Sequence, residues 1–392
     1  MMNDKSINGI KPFIVMEVLE RAMALEREGR SVIHLEIGEP DFTTPKRIVE
    51  SGIEAMRRGE THYTDSRGTR ELRRAVASHY NDRYGTEITE ERVLVTMGTS
   101  PALLLVLSVL LERPGDEVIL GNPHYPCYPN FVKYMGGVPR FVETLEEDGF
   151  QPKPEAVRPL VNDRTRAILV NSPANPTGTL VPEEDLRSLC GLGIPVISDE
   201  IYHGLVYGET EHSALEYTDE AFVLNGFSKR FAMTGWRLGY IIAPERYVRR
   251  LHILQQNFFI SPNSFVQHAG VTALTERHDE LEEMRERYDA RRRYLLDELS
   301  GLGLGSAAEP KGAFYIFADT HHIDADSYGL AFDILERAGV AVAPGIDFGS
   351  GGEGHIRISY ANSLENIREG IRRLGTYLAE RGSGRTDVPG RA

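Results

Sequence analysis

Two hydrophobic periods divide the chain. From about residue 45 to 290, near-continuous apolar runs alternate with stretches of helical period: "RVLVTMG" at 92, "EVILGNP" at 117, "RAILVNSP" at 166, "IPVISDEIY" at 194, "AFVLNGFSK" at 221 and "LGYIIAP" at 238. Strands that are apolar on both faces and separated by helices predict a mainly parallel α/β sheet covered on both sides. "SPALLLVLSVLLERPG" is apolar all round, so it reads as a buried helix with Pro101 at its first helical position and an end near Gly115.

Between 278 and 302, Leu281, Met284, Tyr288, Leu295 and Leu299 recur at spacings of three, four and seven, the pattern of a long one-sided helix suited to joining two domains. Strand-like "AFYIFADT", "VAVAPG" and "HIRISYA" follow with two helical segments, the last opened by Asn362 with Glu365 three residues on. This predicts a smaller α+β domain. The expected organisation is a segment 1–44 packing on the small domain and the active site, a large domain 45–290 and a small domain 291–380. The tail 381–392 has no apolar period and is expected to be disordered.

Composition narrows the function classes. With 392 residues, 41% hydrophobic and 26% charged, the chain has ordinary globular make-up and length for two packed domains. Its 44 basic and 58 acidic residues give a net charge of −14, which disfavours nucleic acid or an anionic membrane as the main partner. Two cysteines, Cys127 and Cys190, support neither a disulfide framework nor a cysteine zinc site. The N-terminus lacks a signal-peptide pattern and no window resembles a membrane span, so a cytoplasmic protein is expected.

The polar residues collect at strand ends, where open parallel sheets bind ligands. "ILVNSPANPTG" delivers Asn175, "VISDEIY" delivers Asp199 and Tyr202, and "VLNGFSK" delivers Lys229. Another strand end, "VLVTMGTSPALL", places Gly98, Thr99 and Ser100 just before the buried helix, whose free N–H groups and positive dipole end make a phosphate seat. It matches neither the Walker pattern nor G-x-G-x-x-G. A phosphate-bearing ligand that reacts with a lysine and needs an acidic partner is thereby outlined, and pyridoxal 5′-phosphate meets all three conditions.

In this order, "NSPANPTG", "SDEIY", "FSK" followed by "MTGWRLGY", and "HIRISYA" resemble the class I/II aminotransferases of fold type I, from "IGEPDF" near 37 to the last helix. The resemblance implies that Lys229 forms the Schiff base with the cofactor and serves as general base. It also implies that Asp199 pairs with the pyridine nitrogen and that Asn175 and Tyr202 donate to its 3′-oxygen. Tyr125 matches the stacking aromatic, with Tyr128 as a competitor. Ser228 and Arg237 resemble phosphate ligands, joining Gly98, Thr99 and Ser100. Tyr63 matches a tyrosine that reaches the phosphate of a neighbouring subunit, which implies a homodimer. Arg357 matches the arginine that grips the substrate α-carboxylate, and Gly38 the segment whose backbone approaches it. The family uses cis bonds where Asn122-Pro123 and Asn175-Pro176 stand.

The implied reaction moves the amino group of an L-amino acid to a 2-oxo acid in two half-reactions. A C–S β-lyase or an aminocyclopropane-carboxylate synthase would keep the same cofactor residues, and a non-catalytic sensor of this fold would need an added DNA-binding module. Some positions depart from the family pattern. Gly226 stands where many relatives carry a phosphate-binding serine, with Asn225 as a replacement donor, and Ser100 stands where aspartate-specific relatives often place a lysine. Arg230, Lys133 or a partner subunit are alternative sources of a charge to read the substrate side chain, and Phe258, Phe259, Phe314 and Tyr315 are candidates for an aromatic pocket or for core. His62, His124, His203, His321 and His322 lack ligand spacing with acidic or cysteine partners, so no metal is expected.

Overall fold

The structure, a computed structural model, describes residues 10, 12–306 and 308–383. Its strands in chain order are β1 (Ile33–His34), β2 (Val93–Thr96), β3 (Glu117–Asn122), β4 (Val138–Glu143), β5 (Thr165–Asn171), β6 (Val196–Asp199), β7 (Ala221–Gly226), β8 (Gly239–Ile242), β9 (Tyr315–Asp319), β10 (Val340–Ala341), β11 (Ala343–Pro344) and β12 (His355–Ser359). Seven form the main sheet in the order β2-β8-β7-β6-β5-β3-β4. All its pairings are parallel except those of β8, which runs antiparallel to both β2 and β7.

Every residue of β2, β6, β7 and β8 is buried, because the two-residue repeat of a strand feeds two separate cores. Ile119, Ile168, Val170, Val196 and Val223 face one side, where the helices Lys46–Arg57, Arg70–Tyr84 and Ser264–Thr275 pack. Leu120, Leu169, Ile197, Leu224 and Ile241 face the other, against the helices Thr99–Leu110 and Glu245–Phe258. This explains why the strands read as unbroken apolar runs. β4 escaped the sequence reading because it is an edge strand whose "VPRFVE" is mostly exposed.

A third core surrounds the three-stranded antiparallel sheet β11-β12-β9 and includes Tyr288, Leu295, Leu299, Phe314, Ile316, Ile334 and Ile358. β1 pairs in parallel with β10, so Ile33 and His34 are joined to this unit. The helix Asp279–Gly301 buries Met284, Tyr288, Leu295 and Leu299 as the spacing predicted, and it runs unbroken through the expected boundary at 290.

Other expectations need correction. The buried helix starts at Thr99, so Pro101 is its third residue, and it ends at Leu110 before the Pro-Gly turn. The last helix, Leu364–Ser383, is capped by Ser363, whose hydroxyl accepts from the backbone N–H of Asn366, and Asn362 instead accepts from Ser363 N–H. That helix carries Arg381 into an ion pair with Asp324, so the start of the expected disordered tail is ordered. The tail beyond 383 lies outside the described residues.

Leu105 is fully buried in the helix that opens on Gly98, so Leu105→Ala removes a core side chain with little room to collapse. We expect a loss of about 2–5 kcal/mol, read from the urea midpoint, and a loss below about 1 kcal/mol would contradict this packing.

Candidate active site

Adjacent parallel strands β5, β6 and β7 end side by side, with Asn171 opposite Asp199 and Asp199 opposite Leu224. Asn175 follows in the turn after β5, Asp199 closes β6, and Lys229 stands three residues after β7. The register thus brings the predicted groups to one mouth.

Lys229 is half-buried. Its amine donates to the carbonyl of Gly38 at 2.5 Å and lies 5.8 and 5.7 Å from the ring centres of Tyr202 and Phe314. No carboxylate is hydrogen-bonded to it among the described residues. Burial, and then the positive charge of Arg357, push its pKa down to about 8, against the attraction of Glu39 and Asp199.

Asp199 is buried and accepts from the Tyr128 hydroxyl at 2.7 Å and from Ile201 N–H at 3.2 Å. Burial raises its pKa to about 6, while those two donors work to lower it. Tyr128 is therefore a partner of Asp199, and Tyr125 lies edge-on to Tyr128 at 5.3 Å. The hydroxyls of Tyr202 and Tyr315 are hydrogen-bonded at 2.8 Å. Tyr315, foreseen only as pocket or core, is a site residue that sequence reasoning missed; nothing local signals a partner 113 positions away.

Arg357, on β12, is 2% exposed. It donates to Asn175 Oδ1 at 2.8 Å and to the backbone carbonyl of Glu36, and its guanidinium lies over the rings of Tyr315 and Phe348 at 4.4 and 4.9 Å. Its Nε is buried with no hydrogen-bond partner among the described residues. Gly38 belongs to the same corner, since a Cβ there would lie 2.1 Å from the Tyr315 hydroxyl oxygen.

Gly98 sits before the helix Thr99–Leu110 with φ +98° and offers no capping side chain, so the first N–H groups of that helix, those of Thr99 and Ser100, are open. Arg237 folds over this end; a Cβ on Gly98 would lie 2.7 Å from its Nη2. Ser228 is half-buried beside Lys229. Tyr63 is the one predicted residue not brought in: it is 80% exposed and has no hydrogen bond or ring contact with the others. The bonds Asn122-Pro123 and Asn175-Pro176 are cis, as is Ser172-Pro173.

Some alternatives fall away. Asn225, the replacement donor considered for the absent serine, is buried and already engaged: its amide donates to Tyr80 and accepts from Gly226 N–H. A side chain at 226 has no room, as its Cβ would lie 2.9 Å from the Leu238 carbonyl oxygen. Arg230 lies across Gly204 and lines a separate cavity of about 380 Å³ with His79, Arg277 and His278, and Lys133 is exposed on its helix. His321 does have an acidic partner, Asp319, at 2.7 Å, contrary to the spacing-based reading.

A weakly basic amine, a buried carboxylate, paired phenols, an anion-ready helix start with an arginine over it, and a guanidinium with an unpartnered nitrogen form one donor set. It fits a molecule carrying an aldehyde, a basic ring nitrogen and a phosphate, together with a carboxylate substrate. Fold and site define a pyridoxal-phosphate enzyme of fold type I.

The chain belongs to the class I and II aminotransferases, whose family model matches residues 30–374. It is similar to the (5-formylfuran-3-yl)methyl phosphate transaminase of Methanocaldococcus jannaschii, 42% identical over 96% of this chain and 100% of that one. It is also similar to the aspartate/prephenate aminotransferase of Thermus thermophilus, 40% identical over 95% and 98%. The solved structure of Thermus thermophilus aspartate aminotransferase with maleate superposes with a TM-score of 0.90 at 39% identity, covering 94% of this chain and 97% of that one. The protein is a pyridoxal-phosphate-dependent aminotransferase acting on amino acids and 2-oxo acids.

The lowered Lys229 pKa has a direct readout. In protein freed of cofactor, acetic anhydride labelling should reach half its limiting rate near pH 8 at Lys229, because only the neutral amine reacts. Exposed lysines should do so above pH 10, and a Lys229 midpoint there would contradict the desolvated site.

Proposed function

We propose that Lys229 is the covalent anchor and proton carrier of the aminotransferase reaction, with Arg357 holding the substrate α-carboxylate. The convergence of Lys229, Asp199 and Arg357 at one strand-end mouth supports this reading. When bound, pyridoxal phosphate supplies an aldehyde for a lysine amine and an electron-withdrawing ring for the substrate Cα.

The chain's own residues then have distinct tasks. Thr99, Ser100, Ser228 and Arg237 would hold the phosphate, with Gly98 letting Arg237 close over the helix start. Asp199 would sit against the ring nitrogen, positioned by Tyr128, and Tyr125 would stack on the ring. Asn175 and Tyr202 would donate to the ring oxygen, and Tyr315 fixes the Tyr202 hydroxyl. Arg357 presents a planar fork to the carboxylate and so orients the Cα–H bond toward Lys229. The Lys229 amine, freed once the substrate amine takes its place at the aldehyde carbon, would take the Cα proton at Nζ and hand it to that carbon, a task that requires its neutral form.

Tyr63 would serve the site of a second copy, which supports a homodimer, and two unpaired cysteines support a cytoplasmic setting. The division into a large domain 45–290 and a small domain 291–380 is kept as a functional proposal, with the helix Asp279–Gly301 as the shared strut. The relatives' names point to prephenate and (5-formylfuran-3-yl)methyl phosphate as acceptors to test beside common 2-oxo acids.

Borohydride reduction of the holoenzyme followed by peptide mapping should place the label on Lys229; a label elsewhere overturns the assignment. Arg357→Ala should lower kcat/KM for amino donors by about 100-fold or more while the reducible chromophore is retained. A near-normal value would remove Arg357 from substrate binding. Single donors and acceptors, with both products quantified, should show one-for-one amino exchange, whereas release of ammonia would indicate a lyase. Sedimentation should give twice the chain's 43.9 kDa.

A further inference from the structure

We propose that Asp319, His321 and His355 form a binding site for one divalent transition-metal ion of the zinc type, on the small three-stranded sheet. Asp319 and His355 are directly opposed across the antiparallel pair β9–β12, so their side chains leave the same face. His321 follows two residues after Asp319. One donor atom from each of the three lies within 4.8 Å of the other two.

His355 supplies the observation that points to a ligand. It is 6% exposed, stacked on Phe317 at 4.7 Å with an interplanar angle of 4°, and edge-on to Phe150 and His321. Its Nδ1 is hydrogen-bonded to the carbonyl of Glu353 at 3.2 Å, while its Nε2 is buried with no partner among the described residues. A ring nitrogen left bare in this way is uncommon, since buried polar groups are normally satisfied. The arrangement is also that of a metal-ligating histidine, in which one nitrogen donates to a carbonyl and the other keeps its lone pair for the ion.

The other two residues are prepared in the same sense. Asp319 Oδ1 accepts from both the backbone N–H and Nδ1 of His321, at 2.8 and 2.7 Å, orienting the imidazole. That ring lies against Gly354, where φ is +74° and a Cβ would stand 2.2 Å from His321 Nε2; only glycine leaves the space. Thr320 N–H and Oγ1 both donate to the Gly354 carbonyl at 2.8 Å, holding the two strand ends together. Zinc donors are about 3.3 Å apart in a tetrahedral site with bonds of about 2.05 Å, so the three must draw inward. His321 and Asp319, half-exposed, have the freedom to do this around the fixed His355.

Two imidazoles and one carboxylate suit Zn²⁺, Co²⁺ or Ni²⁺ better than Ca²⁺ or Mg²⁺, and the exposed side leaves a coordination position for water. The bound ion would tie β9 to the start of β12, two residues before Arg357.

The test titrates metal-free holoenzyme with zinc chloride by calorimetry, with cobalt chloride as a visible-absorption probe. We expect one ion per chain, a cobalt band above 500 nm, and a higher Tm with zinc. His321→Ala, at an exposed position, and Asp319→Asn should each weaken binding at least tenfold and abolish the Tm increase, while aminotransfer without added metal stays at the wild-type rate. Absence of stoichiometric binding by the wild type, or equal binding by His321→Ala, would overturn the proposal.

Discussion

The hydrogen bond from the Lys229 amine to the Gly38 carbonyl is the constraint around which the site is arranged. A lysine paired with a carboxylate would be held as a cation, whereas a single carbonyl in a partly desolvated corner leaves deprotonation inexpensive. The same bond joins the segment around Gly38 to the loop after β7. Thr44 reinforces this by donating to the Ala232 carbonyl and Thr234 by donating to Glu39, while Arg291 on the helix Asp279–Gly301 holds the same segment from another side by donating to Asp41. Tyr315 crowds Gly38 from the other side, so three distant parts of the chain meet at the amine.

Burial acts on the two principal ionisable groups in opposite directions. It lowers the Lys229 pKa and raises that of Asp199, so each is moved toward its neutral form. A cationic ring nitrogen beside Asp199 would favour the carboxylate, and a phosphate at the Gly98 helix start would answer the charge of Arg237. The charges of such a ligand thus complement groups that the protein alone leaves poorly compensated.

What could be read from the sequence was what is local. Unbroken apolar runs announced the covered sheet, and the residues after β5, β6 and β7 announced the mouth, because strand ends in a parallel sheet share one side. The direction of β8 left no trace, since a buried strand has the same period whichever way it runs. The duties of the paired tyrosines were also hidden: Tyr128 and Tyr125 are three residues apart, and only the fold shows that the first turns toward Asp199. Asn225 looked free to serve the ligand, yet Tyr80, 145 positions away, already engages it. His321 already had Asp319 two residues away, but His355 is brought to the pair only by the pairing of β9 with β12.

Arg357 shows why ready-made geometry and ready-made vacancy differ. Its guanidinium is flanked by Tyr315 and Phe348, which fix the plane of the fork, but two of its N–H groups already serve Asn175 and Glu36. The guanidinium keeps further N–H donors, among them an Nε without a partner among the described residues, so an incoming carboxylate can be gripped without first breaking those two bonds. The carbonyl of Glu36 lies two residues from Gly38, whose own carbonyl receives the Lys229 amine. Because Glu36 accepts from Arg357 and Gly38 from Lys229, one short backbone segment is tied to both the guanidinium and the amine.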